Sequence, residues 1–489
     1  RTFQPLTVSV TTRLRFSLLH TNDLHSLVEG LGPDRCLDFS PGSADPVRGH
    51  YARLATLIRT SRRERESRSS SVFLVDAGDA EFGSLFHLIG PNPATEDMPE
   101  YRFFHDLEYD LLGMGNHFFE SGAHGLENAW AKVERGGWRL PFLVSNATFT
   151  DQAGLVARRF VAQPLTQPTT GFHRLAIREV VADGQTLRIG FLGLVGPYAA
   201  KCSLANRSDL RFIGFDDDSG RECPQELHAQ ARALVRELRD VHRVEVVVAI
   251  FHGGHPEDHA LAKAVPEIDV IVAGHTHAVY AETVGRTIVA QAGYGGTTLG
   301  CLDFVWQDGH LTWENPDASL LPVTSAVPAD PDILARVEAG RREVNRLLNG
   351  SSFAYETPVF ALDHDLPRRR FPDNAAGVFA VSGILDELNR RIIPAADLFV
   401  SSYGLVRSEF LCVAGRATVF QYSDIFKFFP LGFGRDLRAG TPVHVFSLTR
   451  ADLKSLLEAM AALCLLFPVF EPVVSSSLSF RIAWWGIPF

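Results

Sequence analysis

From Arg13 to about Trp313 the chain alternates short apolar runs with longer polar stretches of helical character. The runs read RLRFSLLH, SVFLVDAGD, YDLLGMGNH, LPFLVSN, LRIGFLGLVG, VEVVVAIFH, IDVIVAGHT and TIVAQAG. Continuous Val/Ile/Leu segments between helices predict strands buried on both faces, as in a layered α/β domain. Most of these runs stop in Asp, Asn or His, which sets polar side chains at strand C-termini, where α/β folds build their sites.

The pattern then changes. In ADPDILARVEAGRREVNRLLN, between Pro328 and Asn349, an Asp precedes a helix-period apolar set and Asn-Gly follows it, which predicts a capped helix connecting two halves. Beyond it, helices are expected over Ala375 to Arg391 and Arg450 to Leu466, with strands in DLFVSSYG, TPVHVFSL and SLSFRIAWW. The expected division is therefore a first domain over 1–325, a connecting helix over 326–350 and a smaller α+β domain over 351–489. The segment SRRERESRSSS at 61–71 reads as a solvated helix end and loop.

A chain of 489 residues is long enough for two cores, and 46% hydrophobic with 21% charged residues is the balance of a globular protein. The net charge of −10 argues against a nucleic-acid binder, which needs a cationic surface to displace counterions. A small anionic ligand stays compatible, because a metal pair and a few Arg make a local positive site. The six cysteines contain no CxxC pair; Cys202 and Cys223 bracket a polar loop and fit either a disulfide or two buried thiols. Asn146, Asn206 and Asn349 open N-x-S/T triplets. The chain opens at Arg1 without Met or an apolar signal segment, as a processed chain would. The run Leu456 to Phe470 is too short for a bilayer and is expected to be a core helix.

Chemistry concentrates at the strand ends. Asp23-Leu-His25 sets two ligand-type side chains on one side of an extended segment; Asp79 follows a strand and a Gly, and Asn116-His117 ends another run. His252 ends VVVAIFH, and His275 and His277 stand in GHTH. One histidine at a strand end is usually a cap or a core hydrogen bond; donors at five such ends point to a metal site. Carboxylate, amide and imidazole suit borderline divalent cations, zinc first, with manganese, cobalt or iron as alternatives, and an Asp able to bridge fits two of them.

The segments LLHTNDLHS, RGHYARLATLI, FLVDAGDAEFG, YDLLGMGNHFFESG, PFLVSNAT and IDVIVAGHTH, in this order, resemble the 5'-nucleotidase branch of the calcineurin-like metallophosphoesterases. The resemblance implies a four-layer α/β/β/α sandwich followed by a smaller nucleotidase-type domain. It implies one metal held by Asp23, His25, Asp79 and His277 and a second by Asp79, Asn116, His252 and His275, with Asp79 bridging. It further implies hydrolysis of a nucleoside 5'-monophosphate by metal-bound hydroxide, in a secreted, periplasmic or cell-surface protein. His117 corresponds to the imidazole that stabilises the transition state or protonates the leaving oxygen, oriented by a carboxylate. That carboxylate is Glu120 in GNHFFE, where the family has Asp, and Phe118 replaces an acid and is expected to pack.

In the second domain the family supplies arginines for phosphate and two aromatic rings around the base. The resemblance nominates Arg407 in SSYGLVRSEF, Arg370 in RRRFPDN and Phe433 in SDIFKFFPLGFG. Ser402-Tyr403-Gly404 replaces the family's Asn-Gly-Gly, Leu431 stands where the simplest alignment puts the first ring, and the loop bearing the second ring has no counterpart before Phe489. The domain therefore looks truncated. Relatives also handle 2',3'-cyclic nucleotides, UDP-sugars and other phosphoesters, so these are alternatives, as is an enzyme-derived, metal-containing interaction protein. The sequence leaves open the oligomeric state and any membrane anchor.

Overall fold

The computed structural model describes residues 13–203, 210–216, 220–368, 375–392, 394–402, 406–413, 417–430, 445, 447–456 and 472–476. It divides into two units, Arg1–Leu31 with Cys36–Tyr355, and Gly32–Arg35 with Glu356–Phe489.

The first unit is built on two mixed sheets. In the nine-stranded sheet, Leu14–Thr21 pairs antiparallel with Thr298–Gln307 and parallel with Ser71–Asp76, and the parallel run continues through Leu111–Gly113, Pro141–Leu143 and Gly171–His173. The six-stranded sheet orders Val279–Val284, Thr287–Ala292, Val270–Ala273, Val246–His252, Gln185–Val195 and Leu175–Ala182. Strand alternation decides which residues face which layer. Phe16 and Leu18 of the first sheet meet Val248, Ile250 and Val272 of the second in one inter-sheet core. Val247, Ala249 and Phe251 point the other way and pack on Leu227, Ala231 and Leu234 of the helix Pro224–Arg236 and Leu261 of the helix His255–Ala264. Helix Tyr51–Glu66 lies against the outer face of the first sheet. The result is the expected α/β/β/α sandwich, with each buried aliphatic side chain contributing about 1.5–3 kcal/mol. All five of the strand ends that carry candidate ligands terminate at one end of it.

The helix anticipated after residue 328 spans Pro331–Leu347, and its N-cap Asp330 accepts from the amides of Asp332 and Ile333 at 3.2 and 3.1 Å. It packs on Tyr51–Glu66 and lies within the first unit, where Arg336 pairs with Asp106 and Arg341 with Glu29.

Three surface expectations are corrected. Cys202 is exposed and Cys223 half-buried, and no disulfide joins them; the Cys223 thiol donates to Gln225 Oε1 at 3.7 Å. Asn146 is buried, donating to the Val195 carbonyl at 2.8 Å and accepting from the Val195 amide at 3.0 Å, so it is a strand-bridging residue and unfit for a glycan. Asn349 is exposed, and Asn206 lies outside the described residues. Within the charged segment 61–71, Arg65 is buried because its guanidinium forks onto Asp303 at 2.6 and 2.9 Å.

In the second unit, Pro358–Leu362 pairs antiparallel with Thr418–Gln421, and Leu398–Ser402 with Pro472–Ser476. Helices Ala375–Asn389 and Tyr422–Phe428 accompany them, around a core of Val381, Val406, Phe410, Phe420 and Phe428. Lys427 and Ser423 both bond to the Asp34 carboxylate, which explains why Gly32–Arg35 belongs to this unit. The chain is helical from 450 to 456, while the rest of that helix, SLSFRIAWW and most of TPVHVFSL lie outside the described residues. Among the described residues no helix is long and apolar enough to cross a membrane.

Candidate metal centre

The loops that follow adjacent parallel strands run side by side, and this brings the donors together. The amides of Asp23, His25 and Ser26 donate to the carbonyls of Gly78, Asp79 and Ala80 at 2.8, 3.0 and 2.7 Å, extending the pairing of Leu14–Thr21 with Ser71–Asp76 past the strand ends. Across the sandwich, the amide of His275 donates to Asp23 Oδ2 at 2.9 Å and His252 Nδ1 lies 2.8 Å from the Ala77 carbonyl.

The backbone bends sharply where the donors sit. Asp23, His25, Asp79, His275 and His277 have φ of 50°, 52°, 58°, 86° and 59°, a left-handed conformation that costs a non-glycine residue about 1–3 kcal/mol. Two glycines make room for them. A Cβ on Gly115 would overlap Asp79 Oδ1, and one on Gly274 would approach His252 Nδ1 to 2.8 Å.

Three overlapping donor groups result: Asp23, His25 and His277; His25, Asp79 and His117; and Asp79, His252 and His275. His25 Nδ1 lies 2.9 Å from the Phe82 carbonyl, so we assign the proton there, which turns the Nε2 lone pair toward His277 Nε2 at 2.9 Å and Asp23 Oδ1 at 3.7 Å. His252 is held likewise through Nδ1, and its Nε2 faces Asp79 Oδ2 at 3.0 Å and Asn116 Oδ1 at 3.3 Å. Electron-rich atoms aimed at common points in a buried setting are what a cation satisfies. The donor chemistry therefore fits borderline divalent metals, with Asp79 placed to reach both sides.

The protonation pattern agrees with that fit. Burial opposes the charge on Asp23 and Asp79, but the surrounding histidines outweigh it and hold both carboxyls below their usual range. Burial and the neighbouring His252 push His275 down to about 3, leaving a neutral imidazole. For His252 burial acts downward too, yet the Asp79 carboxylate overrides it and carries the group up to about 9, so a metal arriving at neutral pH would displace a proton.

All seven predicted ligands are thus brought to one place. His117 is there as well, expected to be a non-ligand, with its amide donating to Asp79 Oδ1 at 2.8 Å and Nδ1 2.8 Å from Glu120 Oε1. The additional methylene of Glu120 does not prevent that contact. Phe118 is buried against Phe119, Phe142 and Phe172. Of the substrate-binding candidates, Arg407 is half-buried in the second unit, its amide donating to the Phe428 carbonyl at 2.9 Å, while Arg370 and Phe433 lie outside the described residues.

Sequence reasoning missed the residues that orient the donors. Asn22 donates to Asp23 Oδ2 at 2.7 Å and to the Gly293 carbonyl at 2.6 Å. The Phe82 ring stacks on His117 at 4.8 Å and Tyr294 stacks on His277 at 4.6 Å. These sit in loops, where no periodicity marks them, although Asn22 adjoins the D-x-H motif.

A two-sheet sandwich with such donors at its strand ends is a metal-site scaffold, and comparison with known proteins gives the family. The calcineurin-like phosphoesterase profile matches residues 16–279, more than half of the chain. The chain belongs to the calcineurin-like phosphoesterase family. It is 24% identical over 348 residues to bovine 5'-nucleotidase, covering 66% of this chain and 52% of that protein. It is 28% identical over 326 residues to the Salmonella typhimurium 2',3'-cyclic-nucleotide 2'-phosphodiesterase/3'-nucleotidase, covering 61% and 44% respectively. The fold matches the crystal structure of a Thermus thermophilus 5'-nucleotidase precursor with a TM-score of 0.62 at 20% identity, over 85% of this chain and 73% of that one. The chain spans about a quarter to a half of the length of the curated relatives it matches.

Proposed function

We propose that the chain is a two-metal phosphohydrolase that removes the 5'-phosphate from nucleoside monophosphates. The convergence of Asp23, His25, Asp79, Asn116, His252, His275 and His277 around Asp79 carries this reading, and the relatives named 5'-nucleotidase support the substrate class. Two divalent cations bound by these residues would activate water and neutralise charge on the phosphoryl oxygens.

The chain's own residues do the rest. With the proton assigned to Nδ1 of His117, Glu120 Oε1 accepts it at 2.8 Å, which fixes the ring. His117 Nε2 is the nitrogen that would donate a proton to the leaving ribose oxygen, and the Phe82 ring stacked at 8° keeps the imidazole in plane. From the family resemblance, Arg407 and Arg370 would serve the substrate's phosphate and Phe433 its base. A 2',3'-cyclic phosphodiester is the second reading, favoured by the Salmonella relative's name. A secreted or cell-surface location fits the relatives named snake venom 5'-nucleotidase.

Metal-loaded protein assayed against AMP, a 2',3'-cyclic nucleotide and a generic aryl phosphate, beside His117→Ala, tests the proposal. The expected result is fastest phosphate release from AMP and a loss of about 10²–10⁴-fold in the variant. Preference for the cyclic ester selects the second reading, and no turnover of any ester by fully loaded protein leaves only the interaction-protein reading.

A further inference from the structure

A second donor cluster stands apart from the candidate centre. His255 and His259 lie four residues apart on the helix His255–Ala264 and so share one face. Glu282 comes from Val279–Val284, the outermost strand of the six-stranded sheet. Glu282 Oε1 lies 2.9 Å from His259 Nε2 and 3.6 Å from His255 Nε2, and the two rings are 4.3 Å apart. The three side chains are only partly buried, hence reachable from solvent.

Spacing decides between a plain ion pair and a metal site. An ion pair needs one imidazole at hydrogen-bond distance and leaves the other undirected. Here both Nε2 atoms turn toward one carboxylate oxygen. Ligands on a tetrahedral zinc with arms of about 2.1 Å stand about 3.4 Å apart, and the two observed separations bracket that value. The frame is set independently: Tyr280, two residues before Glu282 and on the same strand face, donates to Asp258 Oδ2 on the helix at 2.6 Å.

We propose that His255, His259 and Glu282 form an accessory site for a borderline divalent cation of the zinc class, completed by solvent. The site would tie together the two segments that leave the candidate centre. The helix begins just after His252, and the edge strand just after His277. A cation here braces both from outside without touching substrate.

The test is metal content. Full-length protein with its main centre loaded is dialysed against micromolar zinc, alongside His255→Ala/His259→Ala and the near-isosteric Glu282→Gln. The wild type is expected to retain one more zinc than the double variant, Glu282→Gln to hold that ion at least about tenfold more weakly, and the additional zinc to raise the thermal midpoint of the wild type alone. Equal zinc content, affinity and midpoint shift in all three proteins would overturn the assignment.

Discussion

At the scale of residues, Asp79 and its surroundings are where geometry is least forgiving. Its carboxylate faces His252 on one side and accepts the His117 amide on the other, over a glycine with no room for a side chain. Gly115→Ala should push that carboxylate aside, reducing bound metal at a given free concentration and lowering kcat by tenfold or more, as shown by metal analysis beside phosphate release. Unaltered metal content would mean the loop yields easily. Glu120→Gln replaces the acceptor for His117 with a neutral amide. We expect a smaller loss of kcat than His117→Ala gives, because the ring keeps a hydrogen-bond acceptor but loses the carboxylate that orients it. A kcat unmoved by the change would remove Glu120 from that role. The donors were legible in the sequence because each closes an apolar run; the left-handed φ values and the stacked rings of Phe82 and Tyr294 were not, since they depend on which loops meet.

At the scale of elements, burial competes with helix electrostatics. Glu100 sits in the first turn of the helix Pro99–Asp106, where a negative charge is usually favoured by about 0.3–1 kcal/mol. It is fully buried, however, and burial pushes its carboxyl up to about 8. The unfolded chain then ionises near pH 4.5 while the fold keeps the proton to about 8, so the native state binds more protons in that window and its stability falls as pH rises. Glu100→Gln should be more stable than wild type at pH 8 and nearly equal at pH 5, measured by denaturant midpoints. A constant difference would contradict this. Strands of continuous apolar sequence were the most readable elements, from RLRFSLLH to TIVAQAG. Asn146 and the Cys202–Cys223 pair misled because a local triplet and a loop-flanking spacing carry no information about burial or distance.

At the scale of the whole molecule, the first unit gathers seven expected ligands from strands far apart in sequence, and the family match, residues 16–279, falls almost wholly within it. Ligands arriving from so many segments couple metal occupancy to folding: ions bound only by the native state raise stability by about 2.7 kcal/mol at a hundredfold excess over Kd. Chelation should therefore lower the thermal midpoint as well as activity. The most direct measurement is phosphate release from AMP before chelation, after it, and after re-addition of zinc or manganese, with bound metal counted at each stage and Asp79→Asn in parallel. The account predicts activity that disappears with the metal, returns as two ions rebind, and never appears in the variant. Turnover that persists in metal-free protein, or stays absent with both ions bound, would contradict it.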